Sequence, residues 1–155
     1  MLGRVVPAAA ALAVVLTACG TDTSQLARLQ AMPENQLFYP GAVVVGSRQL
    51  NEQTTIEGTT YADSIHLLGT NASVLQVSGF YSLRLRELGW SPTLINAGLG
   101  STETSAVAWA KDDAIFRLAF LRKGNDPRLP AASVQNGFTT IFTIDLSHYP
   151  MPSGS

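Results

Sequence analysis

Between positions 74 and 88 apolar residues return at steps of three and four: Val74, Val77, Tyr81, Leu85 and Leu88, with Phe80 widening the stripe. That spacing predicts an amphipathic helix over 72–88, because residues three and four apart share one face of an α-helix. In the preceding Gly69-Thr-Asn71-Ala-Ser73, either Asn71 or Ser73 can accept hydrogen bonds from the unpaired amides of the first turn. Gly89 supplies a left-handed stop, and Trp90 restarts the chain as a strand.

Elsewhere the period is two. Phe116, Leu118 and Phe120 alternate with Arg117 and Ala119, and Phe138, Phe142, Ile144 and Leu146 alternate with Thr139, Thr143 and Asp145. Both runs predict half-buried antiparallel strands. Val107 and Trp109 alternate ahead of Lys111-Asp112-Asp113-Ala114, a short polar break that predicts a hairpin whose two acids face solvent. Weaker strand patterns cover 42–48, 59–68 and 90–96. The expected fold is α+β, with one principal helix packed across an antiparallel sheet of five or six strands. It occupies 37–149, a length for which a single core suffices, and no internal repeat divides it.

The amino terminus follows a different pattern. Arg4 precedes twelve uncharged apolar positions, 5–16, and then come Thr17, Ala18 and Cys19. This is the order of a secretory signal, and the apolar run is shorter than the ~20 residues that a membrane span needs. A buried core helix would carry polar positions at helical spacing, which 5–16 lacks. Residues 20–36 are rich in Thr, Ser, Gln and Asn and read as a flexible tether reaching roughly 20–25 Å. Leu26, Leu29 and Met32 stand at helical spacing there, so a short helix is the competing reading. Residues 150–155 form a frayed tail.

Leu16-Thr17-Ala18-Cys19, with Gly20 following, resembles the lipobox of bacterial lipoproteins. The resemblance implies diacylglyceryl transfer to the Cys19 thiol, a reaction of the thiolate, and cleavage that removes 1–18 as signal peptide. Residues 19–36 then become a lipid-anchored tether, and the domain resides at the extracytoplasmic face of the cell membrane. Two or three acyl chains anchor stably where one is marginal, since each buried methylene contributes ~0.8 kcal/mol. Cys19 is the only cysteine, so no internal disulfide can form and stability must come from the core. A second likeness lies in Tyr39-Pro40-Gly41-Ala42, Gly69-Thr70, Phe80-Tyr81 and Leu88-Gly89-Trp90. Together these resemble small exported bacterial domains, many of them lipoproteins, whose function is unassigned.

Charge narrows the partners. Removal of 1–18 leaves 9 basic residues against 11 acids, a formal charge of −2. No basic stripe suits nucleic acid and no polybasic patch assists membrane binding, so the acyl anchor carries the membrane contact.

Catalytic patterns are sparse. His66 and His148 stand in different strand regions without a ligand spacing or an acidic partner at fixed distance, and each reads as a strand or edge histidine. No Gly-x-Ser-x-Gly elbow occurs. Gly98-Leu-Gly100-Ser101 reads as a strand connection and Asn71-Ala-Ser73, a sequon in form, as a helix cap. Neither a cofactor nor a metal is expected. Asp63, Glu87 and Asp145 are available acids, and they become a site only if the fold converges them in a pocket.

Two regions are candidates for function. The connection 122–137 is long for a small domain, hence functional or disordered. Leu75, Gly79, Leu83 and Arg86 project from the helix opposite the Tyr81 stripe and form a possible partner surface. The leading expectation is a membrane-anchored, non-enzymatic envelope lipoprotein acting through contact with an envelope protein. The alternative is a carrier of a small apolar ligand held between helix and sheet.

Overall fold

In the computed structural model, which describes residues 21–95, 98–124 and 129–150, the chain opens with strand β1 (Thr21–Asp22) and helix α1 (Ser24–Ala31), then a 3-10 turn, Pro33–Gln36. Strands β2 (Val43–Leu50), β3 (Glu52–Thr55), β4 (Gly58–Thr60) and β5 (Asp63–Thr70) lead into helix α2 (Val74–Glu87). Next come β6 (Ser91–Thr93), β7 (Glu103–Lys111), β8 (Ala114–Leu121), helix α3 (Ala132–Asn136) and β9 (Thr140–His148). Six strands make one antiparallel sheet in the order β2-β5-β9-β8-β7-β6, and β1-β3-β4 form a small antiparallel sheet beside it. The fold is α+β, with three α-helices among the described residues where the sequence singled out one.

α2 has to cross the large sheet, because it joins β5 to β6 at the far edge, four strand positions away. Four spacings of ~4.8 Å make about 19 Å, and a helix of 14 residues is about 21 Å long. The lengths match. Its buried face, Val77, Tyr81 and Leu85, meets Phe116, Leu118, Phe142 and Ile144 of the sheet. The Tyr81 ring lies 5.6 Å from that of Phe116 and 6.1 Å from that of Phe142. Each such side chain contributes ~1.5–3 kcal/mol by leaving water.

Both ends of α2 are capped. Ser73 accepts from the Gln76 amide while the Gln76 side chain accepts from the Ser73 amide, closing a capping box. At the other end Gly89 adopts φ 85°, and the amides of Gly89 and Trp90 donate to the carbonyls of Arg86 and Leu85. That is the Schellman arrangement, which favours glycine at its left-handed position. Val74, expected in the buried stripe, is 45 % exposed. It occupies the first helical position, where the tilt of side chains toward the amino end carries it past the packed length.

Three further expectations need correction. Residues 24–36 are not a tether: α1 buries Leu29 completely, and Glu34 and Asn35 are buried in the turn that follows. The polar residues that made the segment read as linker have distant partners. The Ser64 hydroxyl donates to Asn35 at 2.8 Å, and the Trp90 indole donates to Glu34 at 2.9 Å. Phe138 lies ahead of β9, not in it, with its ring against Gly69. β8 is buried on both faces, because Ile115 and Ala119 are covered as well as Phe116 and Leu118.

The edges of the large sheet differ. β6 is three residues long and contains Pro92, whereas β2 runs for eight with Val43 and Val44 exposed and an irregular register between Val44 and Gly46.

Candidate functional site

Strand alternation divides the chemistry of β5 and β9 between two faces. Ser64, His66 and Leu68 share the helix-covered face with Phe142, Ile144 and Leu146, so Asp63, Ile65, Leu67, Thr143 and Asp145 fall on the other. Register then sets a row across that open face: Arg48 opposite Ile65, Ile65 opposite Asp145, and Asp145 opposite Arg117. Asp63 stands two residues before Ile65, diagonal to Asp145.

This row floors a cavity of about 480 Å³, bounded on its sides by Leu121, Leu129 and Thr102. Its volume lies within the ~300–1,000 Å³ usual for small-molecule sites. Arg117 is held by a two-pronged pair with Glu103, Nη1–Oε1 at 2.9 Å and Nη2–Oε2 at 2.5 Å, and its Nη2 also donates to the Gly98 carbonyl at 2.7 Å. The pair thereby fastens the connection ahead of β7 to the sheet. Arg48 is exposed and forms no ion pair among the described residues.

Asp145 is held well above the usual carboxylate range, by burial first and then by the Asp63 carboxyl beside it, with Arg117 and Arg48 pulling the other way. Oδ1 of each aspartate is buried and finds no partner among the described residues. Asp145 is thus short of donors and favours keeping its proton, since a carboxylate against a second carboxyl resists ionisation. Chemically the cavity offers a proton-holding acid, a second carboxyl, an exposed guanidinium and aliphatic walls.

Within the 122–137 connection, 125–128 lie outside the described residues, while the described part contributes Leu129 to the cavity and includes α3. Gln135 of α3 is 4 % exposed, and its amide bonds both the amide and the carbonyl of Gly124 at 2.9 Å and the Pro130 carbonyl at 2.7 Å. One side chain thus holds Gly124 and Pro130 together.

No known family model, curated protein or solved structure matches the chain.

Leu16, Thr17, Ala18 and Cys19 lie outside the described residues. Leu75, Gly79, Leu83 and Arg86 sit on the outward side of α2, with Leu75 80 % and Leu83 55 % exposed. Arg86 also borders a smaller cavity of about 310 Å³ with Trp90 and Pro92. The space between helix and sheet, where the alternative reading places an apolar ligand, is filled by Tyr81, Phe116 and Phe142, each fully buried.

Of the three available acids, Asp63 and Asp145 converge, while Glu87 pairs with Arg84 on the exposed side of α2. His66 lies opposite Ile144 and does not meet His148. Its imidazole is pushed down by burial, stands edge-on to Phe38, and has no partner for either nitrogen among the described residues.

The expectation that His148 lacks an acidic partner is overturned. Its Nδ1 lies 2.5 Å from Glu52 and its Nε2 3.5 Å from Asp113, whose other oxygen pairs with Arg28 at 2.8 Å. Asp113 consequently ties the β7–β8 turn to α1, and only Asp112, at φ 53°, is purely a turn residue. No group of three His, Cys, Asp or Glu among the described residues is arranged to hold a metal ion.

Sequence reasoning missed Arg48, Arg117 and Glu103. The available signal was charge at mid-strand on the polar side of the alternation, which Arg117 and Asp145 both show.

Proposed function

We propose that the protein is an extracytoplasmic lipoprotein, anchored through acyl chains on Cys19, that works by binding and not by catalysis. Its open-face cavity is the seat of a small polar ligand. The observation that carries this reading is the row Arg48, Asp145 and Arg117 at the floor of a cavity of about 480 Å³. Arg117 is already committed to Glu103 and Asp145 lies against Asp63. Recognition then falls to Arg48 and to whatever hydrogen bonds the aspartate pair extends toward the opening. The lipobox-like start supports the anchor independently.

Native mass spectrometry of the lipidated protein isolated from its own host tests both halves. A small co-purifying mass is expected on the parental chain and on a Leu75→Ser control, and is expected to be lost from an Arg48→Ala, Asp145→Leu double variant. An empty parental protein overturns the ligand. A bare Cys19 thiol, or membrane fractionation unchanged by Cys19→Ser, overturns the anchor.

A further inference from the structure

The small sheet brings one apolar side chain to the place where the chain leaves for its anchor. β3 and β4 form a hairpin in which Thr55 is opposite Gly58, so Ile56 and Glu57 make the turn. Ile56 is 99 % exposed. β1 pairs with β3 antiparallel, Thr21 opposite Gln53 and Asp22 opposite Glu52. The amino-terminal end of β1, Thr21, is therefore its end nearer the tip of the hairpin. Cys19 is two residues before Thr21, and two residues span at most about 7 Å. An acyl chain on Cys19 therefore starts within about 7 Å of Thr21, which pairs with the β3 strand of the hairpin.

The tip is also built to lose water at low cost. The Thr54 and Thr59 hydroxyls lie 3.3 Å apart, the Thr55 hydroxyl donates to the Gly58 carbonyl at 3.3 Å, and it accepts from the Glu57 amide at 3.2 Å. Polar groups paired with one another have less hydration to surrender. Between Gln53 and Thr60 the only charge is Glu57, which can stay in the headgroup layer while Ile56 goes deeper.

We infer that the β3–β4 tip, led by Ile56, rests in the headgroup layer of the membrane as a second contact beside the lipidated Cys19, and so fixes the orientation of the domain. The inference rests on the anchored-lipoprotein reading. The partner is the lipid surface itself, and without a basic residue at the tip the contact needs no anionic lipid.

Ile56→Cys supplies the test, because lipidation occupies the sulfur of Cys19 and leaves the new residue as the single thiol. The full lipidated chain, labelled there with a polarity-sensitive fluorophore, is reconstituted in phosphatidylcholine vesicles. Its emission is expected to be blue-shifted relative to the same label at Leu75→Cys, quenched by nitroxides near the headgroups, and insensitive to salt. Emission from position 56 as water-like as that from position 75, on a chain with one label, overturns the tip contact and leaves the anchor standing. Two labels per chain overturn the anchor and the tip contact together. As a label-free control, amide exchange over 53–60 on vesicles is expected to be slower in the parental chain than in Ile56→Asp, and equal rates count against the contact.

Discussion

The indole nitrogen of Trp90 donates to the Glu34 carboxyl at 2.9 Å, joining two residues that are 2 % exposed and 56 positions apart. Lys111 approaches the same oxygen at 3.5 Å, donates to the Leu88 carbonyl at 2.9 Å, and stands 5.9 Å from the centre of the Trp90 ring. The polar amino-terminal segment is thereby fastened to the end of α2 and to β7. Glu34→Ala strands the buried indole donor, which is expected to cost about 1–3 kcal/mol. Urea unfolding should show a lower midpoint at unchanged slope. In a cycle with Trp90→Phe the two losses should fall short of additivity, and full additivity would deny the coupling.

Gly69 is a second tight point. A Cβ placed there would run into the Phe138 ring, so Gly69→Ala must displace an aromatic side chain, at about 1–3 kcal/mol. In a Phe138→Ala background the same substitution should cost little, and thermal unfolding of the four proteins reads the difference.

Asp145 gives stability a pH dependence of defined sign. Its carboxyl titrates above the ordinary range because of burial and then Asp63. The folded state therefore binds more protons than the unfolded one above pH of about 4, and stability falls as pH rises through that window. Asp145→Asn, which keeps the shape without the charge, should unfold at a higher temperature than the parental protein at neutral pH. The gap should shrink toward pH of about 4. A constant gap would show that the group does not titrate in the window.

His66 acts in the opposite sense. Burial pushes its imidazole below the usual value, so the unfolded chain takes up the proton first and stability is lost as pH falls below about 6.5. His66→Leu should flatten that part of the profile, and equal slopes in variant and parent would count against it.

How much of this was legible in the sequence depends on the range of the interactions. α2 was legible to within two residues at its start and one at its end, because periodicity, a cap at Asn71 or Ser73 and the Gly89 stop are all local. β7, β8 and β9 were visible through alternation, although nothing local shows that Ile115 and Ala119 are covered from the far face. The amino-terminal segment was misread because Glu34 and Asn35 look like linker until Trp90 and Ser64 are placed beside them. The cavity is the extreme case. Asp63 and Asp145 were recognised as available acids, yet their meeting depends on the pairing of β5 with β9, 82 residues further along.

The unequal edges of the large sheet limit how copies of this domain can join. β6, short and interrupted by Pro92, offers little for another strand to pair with, and β2 is the long edge left open. When two molecules meet through their β2 strands around a two-fold axis, each uses up the long open border of its large sheet. A pair joined in this way closes on itself, and among the described strands of the large sheet only the short β6, interrupted by Pro92, is left for further edge addition.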